Sequence, residues 1–142
     1  MTVGYSLIGL AEGVAKELRG SATVSTLHHE TFAAVDTGVG IPLRIWEDAD
    51  ILRSKPMRHF SVAVNWPRLP DGTPLMARDV MTEEEEKRGR PVYSIDVRVT
   101  EPMPEIIQRI RAELLDRSGR YYVRAVTQVA AGPKPPTLRV VK

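Results

Sequence analysis

The chain reads as an α+β protein that is mainly β: a small antiparallel β-barrel or sandwich with an N-terminal helix. Three observations predict this. One stretch near the N-terminus repeats its apolar residues at helical spacing. After it the period drops to two, and short β-branched runs recur at hairpin-like intervals. No strand–helix–strand alternation repeats, which excludes a doubly wound parallel sheet.

The helix is expected over residues 6–19. Leu7, Leu10, Ala11, Val14 and Leu18 form one apolar stripe, and Glu12, Lys16, Glu17 and Arg19 fall largely off it. Ser6 is placed to cap the N-terminus, and Gly20 to end the helix in a left-handed conformation. A β core follows over about 21–141. Ser21 to Leu27 is a β-branched strand, and Phe32 to Val35 is a short apolar run closed by the turn Asp36-Thr37-Gly38-Val39-Gly40. Leu43 to Trp46 is the next strand. In Arg58 to Asn65, Phe60, Val62 and Val64 point one way and Ser61, Ala63 and Asn65 the other.

A polar, mobile loop is expected over about 67–91. It overlaps the turn-rich Trp66–Pro74 and holds the charge block Glu83, Glu84, Glu85, Glu86, Lys87, Arg88 and Arg90. Val92 to Val99 alternates as a strand, and Pro102 and Pro104 stop it. Ile106, Ile107 and Ile110 share a face of a short helix. Leu114 and Leu115 either continue that helix or begin a hairpin that turns at Arg117-Ser118-Gly119 and returns through Tyr121–Val129. The hairpin is the preferred reading. Thr137 to Val141 reads as a last strand.

The 142 residues suit one domain, 1–142, with 42% hydrophobic and 27% charged residues in a globular mixture. Cysteine is absent, which removes disulfides, thiolate metal sites and cysteine nucleophiles and favours an intracellular origin. No apolar run approaches the ~20 residues of a membrane span, and Met1–Leu10 lacks the basic start of a signal peptide. The net charge is only +2, too small an excess to specify a nucleic-acid binder.

Chemical motifs are sparse. His28, His29 and Glu30 are adjacent, but neighbours on a strand point to opposite faces, so solvent-exposed histidines are expected there. Nothing in the spacing joins His59 to them. Glu47, Asp48 and Asp50 follow Trp46 as an acidic cluster without the pattern of a calcium loop, which reads as a solvated turn or a docking patch. Gly38-Val39-Gly40 is too short for a phosphate loop, and neither a nucleophile elbow nor HExxH occurs. The residues expected at a partner interface, which is a ring interface if the likeness described next holds, are Glu83, Glu84, Glu85, Glu86, Lys87, Arg88, Arg90, Trp46, Glu47 and Asp48. No catalytic, metal or cofactor site is expected.

The order of parts also carries a likeness. A short amphipathic helix is followed by Arg19-Gly20-Ser21-Ala22-Thr23-Val24 and a glycine-containing turn. Leu43-Arg44-Ile45-Trp46-Glu47-Asp48, a polar excursion and Tyr93–Val99 come next. Leu114-Leu115-Asp116-Arg117-Ser118-Gly119-Arg120-Tyr121-Tyr122-Val123-Arg124-Ala125-Val126 and Thr137-Leu138-Arg139-Val140-Val141 close the chain. This pattern resembles the head-to-tail joining, or stopper, proteins of tailed bacteriophages. The resemblance implies a structural, non-enzymatic virion subunit, without cofactor or membrane contact, assembled in the host cytoplasm into a hexameric ring of the neck. Its partners would be the portal or adaptor ring, the tail terminator or tail tube proteins, and copies of itself. Genomic DNA would pass through the channel without sequence-specific binding. A tail terminator is the nearest alternative. A small-barrel nucleic-acid-binding protein and a small metal-dependent enzyme using His28, His29 or His59 are the others.

Overall fold

A computed structural model describes residues 4–27, 30–49 and 58–132. Helix α1 (Leu7–Glu17) opens the chain, and Ser6 caps it by accepting a hydrogen bond from the Gly9 amide at 3.0 Å. Four strands follow: β1 (Ser21–Leu27), β2 (Glu30–Asp36), β3 (Leu43–Ala49) and β4 (Arg58–Val64). Two short helices, α2 (Ala77–Val80) and α3 (Glu83–Lys87), precede β5 (Ile95–Arg98). The five strands form one antiparallel sheet in the order β1-β2-β3-β4-β5.

The turn from α1 into β1 differs from expectation in one detail. The left-handed residue is Arg19 (φ 57°), not Gly20. The Arg19 amide bonds to Lys16 O and the Gly20 amide to Ala15 O, which is a Schellman closure with arginine in the usual glycine place. Gly20 is needed for another reason: a Cβ there would lie 1.5 Å from the Asp36 carbonyl oxygen.

The sheet has a packed inner face. Ala33, Val35, Leu43, Ile45, Phe60, Val62, Ile95 and Val97 alternate inward and are buried. Against them lie Leu10, Ala11 and Val14 of α1 and Ile106, Ile110 and Leu114 of the C-terminal helices. This is the alternation read from β4, extended by register to its neighbours.

Two expectations are corrected. The sheet is open, not closed into a barrel: closure would pair β1 with β5, and β5 has its outer edge already used. There Arg109 donates to Asp96 O at 2.6 Å, the Arg98 amide reaches Glu101 Oε1 at 3.4 Å, and the Tyr5 amide bonds Val99 O at 2.8 Å. The Arg109–Glu101 ion pair (2.8 Å) holds these caps in place. In addition, Arg111–Val129 is helical, with no hairpin. Helix α4 (Met103–Arg109) runs into a π-helical stretch (Ile110–Ser118), a 3₁₀ turn (Gly119–Tyr121) and α5 (Tyr122–Ala130). Tyr121 and Ala125, four apart, are buried, whereas Val123 is 70% exposed. Gly119, the supposed turn residue, is a packing contact: a Cβ would meet Ile41 Cδ1 at 2.8 Å. The expected last strand, Thr137–Val141, lies outside the described residues.

Candidate functional site

The polar excursion is folded. Leu69 and Thr73 close a turn (2.8 Å) stabilised by the Arg68–Pro74 bridge, and α2 and α3 follow in place of the expected loop. Thr82 accepts from the Glu85 amide at 3.2 Å, while the Glu85 carboxylate accepts from the Thr82 amide at 2.8 Å. This capping box is what allows a five-residue helix rich in glutamate to start. Arg124 of α5 then donates to Glu85 at 2.8 Å and to Val80 O at 2.7 Å, and lies 5.3 Å from the Tyr121 ring. The Arg124 guanidinium, with help from the Thr82 amide, holds the Glu85 carboxyl at about 2. Glu86 pairs with Arg90. Glu83, Glu84, Lys87 and Arg88 stay exposed on α3 and its C-cap. The charge block is thus an ordered, partly neutralised helical patch.

Trp46, Glu47 and Asp48 do not form a solvated turn. All three lie within β3, and strand alternation separates them: Trp46 and Asp48 point to the outer face, Glu47 to the other. Register assembles the outer face from neighbouring strands. Phe32 on β2 pairs with Trp46, Asp48 pairs with His59 on β4, and Ser61 pairs with both Trp46 and Asp96 on β5.

Two groups of side chains result. In the first, the Arg44 guanidinium lies 4.3 Å from the Phe32 ring centre and 5.7 Å from that of Trp46, with Glu30 at 3.7 Å. Its Nε is buried without a hydrogen-bond partner, and the two rings together with Glu30 hold the cation. In the second, Ser61 is buried and its hydroxyl faces two carboxylates, donating to Asp48 Oδ2 and standing 3.4 Å from Asp96 Oδ1. The Trp46 indole donates to Asp48 Oδ1 at 3.2 Å, and His59 Nε2 lies 3.8 Å from Asp48 Oδ2. One ligating atom from each of Asp48, His59 and Asp96 falls within 4.8 Å of the others. Beside both groups runs an open groove of about 810 Å³, lined by Arg44, Trp46, Asp48, Trp66, Met76 and Tyr93.

Of this cluster the sequence marks Trp46 and Asp48 as interface candidates and Ser61 only as a face of its strand, and it gives no motif to His59 or Asp96. No local signal could have joined them, because the cluster exists only once the β3–β4–β5 register is known. His28 and His29 lie outside the described residues, as does Asp50.

One more feature bears on function. Strand β1 is seven residues long, pairs with β2 without a bulge, and has no partner on its other side among the described residues. It carries no charge and no proline, and Val24 is 42% exposed. The usual protections of an edge strand are absent among the described residues. No protein-family model matches this chain, and neither a curated protein nor a solved structure matches it significantly.

Proposed function

We propose that this chain is a ring-forming subunit of a tailed-phage neck, closing the DNA-filled head and joining it to the tail. The observation that carries the reading is the asymmetry of the sheet. One edge, β5, is capped by Arg109, Glu101 and Tyr5, while the other, β1, has no strand partner among the described residues. An uncharged edge strand without a partner among the described residues suits a partner strand or surface. A closed ring needs two different patches on each subunit. The exposed charges of α3 (Glu83, Glu84, Lys87 and Arg88) offer a second patch on an element remote in sequence from β1.

The order of helix α1, strand Ser21–Leu27, glycine turn and strand Leu43–Asp48 supports the likeness to joining proteins. The stretch Leu114–Val126 does not, because it is helical. A nucleic-acid platform is disfavoured: the Phe32 and Trp46 rings are occupied by Arg44, and Glu30, Asp48 and Asp96 would repel phosphates. The test is quantitative mass spectrometry of purified particles. A copy number near one ring's worth relative to the portal is expected. Absence from mature particles overturns the reading.

A further inference from the structure

We propose that Asp48, His59 and Asp96 bind one first-row divalent cation of the zinc class on the outer face of the sheet. This inference stands apart from the neck reading and survives if that reading fails.

Placement is the first argument. The three residues lie on three consecutive hydrogen-bonded strands, with Asp48 paired to His59 and Asp96 paired to Ser61. Their Cα positions are fixed by the sheet rather than by a loop. The ligating atoms fall within 4.8 Å of one another. Donors bound tetrahedrally at about 2.1 Å lie about 3.4 Å apart, so side-chain rotations that shorten these separations by up to about 1.4 Å close the set.

Donor chemistry is the second. This is a mixed set, two carboxylates and an imidazole, not a cluster of acids. Imidazole nitrogen selects zinc-class ions over magnesium and calcium, which prefer oxygen alone. Three protein ligands leave a coordination position for water or for a partner's side chain.

Proton supply is the third. The Ser61 hydroxyl has one proton but stands against oxygens of both aspartates. The Trp46 indole holds Asp48 Oδ1 and leaves Oδ2 facing His59. Two carboxylates thus converge on one serine hydroxyl beside an imidazole, and a divalent cation there would offset their like charge. Among the described residues, register also places Arg98 opposite His59, and Arg109 donates to the Asp96 carbonyl.

The experiment is calorimetric titration of zinc chloride into the chelator-treated full chain, with cobalt(II) absorption as a second readout. One equivalent should bind. Asp96→Asn and His59→Gln, each checked for fold by circular dichroism, should weaken binding at least 100-fold. Ser61→Ala should weaken it about 10-fold by freeing the carboxylates it orients. A His28→Asn/His29→Asn double variant should bind like the parent. The proposal is overturned by the absence of saturable binding, by an Asp96→Asn variant that binds normally, or by loss of binding in the double-histidine variant.

Discussion

Val123 and Ala125 discriminate between the two periodicities that Tyr121–Val129 allows. On a strand they share a face and are buried or exposed together. In α5 they do not: Val123 is 70% exposed and Ala125 fully buried. Full burial of a valine contributes about 1.5–3 kcal/mol, so the remaining 30% of Val123 contributes under about 1 kcal/mol. Val123→Lys keeps an aliphatic stem and gains a few tenths of a kcal/mol in helix propensity, so its net effect should lie within about 0.5 kcal/mol of zero. Ala125→Lys must overfill a closed site, costing about 1–3 kcal/mol, and bury an ammonium, costing several more. A loss of at least about 4 kcal/mol is expected. Against the ~5–15 kcal/mol typical of a folded domain, the variant is crippled. Urea unfolding followed by far-ultraviolet circular dichroism reads both. Equal losses, or a larger loss at Val123, would refute the helical assignment.

Three further outcomes are expected. Gly20→Ala should lose about 3 kcal/mol or more, because its Cβ meets the Asp36 carbonyl with backbone on both sides; Arg19→Gly beside it should gain up to about 1 kcal/mol by relieving the left-handed arginine. Thermal unfolding of the two variants should show opposite signs. Glu85 has its carboxyl lowered from 4.5 to about 2, chiefly by Arg124, so its contribution is present above pH 4.5 and fades as pH falls towards 2. Glu85→Gln should therefore flatten the stability profile within that window and leave its shape above pH 5 unchanged. Finally, Thr23→Lys should abolish self-assembly in sedimentation experiments while leaving the unfolding midpoint within a degree or two, since a charge on a bare edge blocks strand addition without touching the core.

Much of the fold was legible because α1 and β1 to β4 obey one period each. Phe60, Val62 and Val64 alternate against Ser61, Ala63 and Asn65, and the inner face follows from that pattern alone. The C-terminal third was not legible. Tyr121-Tyr122-Val123-Arg124-Ala125-Val126 is rich in aromatic and β-branched residues, which favour strands in isolation. Burial of Tyr121 and Ala125, the Trp66–Tyr122 ring contact at 6.2 Å and the Arg124–Glu85 tie override that preference. The site was legible only in part for a related reason. Asp48 and Trp46 are close in sequence, but Asp96 and His59 reach them through pairings across three strands, which no local pattern encodes.

The π-helical stretch has a consequence for how this chain can change. Ile106, Ile110, Leu114 and Ser118 are all buried at a strict interval of four. In ordinary α geometry each step of four drifts by about 40°, so three steps would carry the stripe about 120° around the rod. The wider winding of Ile110–Ser118 absorbs that drift and sets the rotational phase at which α5 emerges to present Arg124 to Glu85. Side chains here can be exchanged for others of similar size. The number of residues cannot: one insertion or deletion between 110 and 118 turns α5 by about 100° and aims Arg124 away from α3, whatever residue is gained or lost.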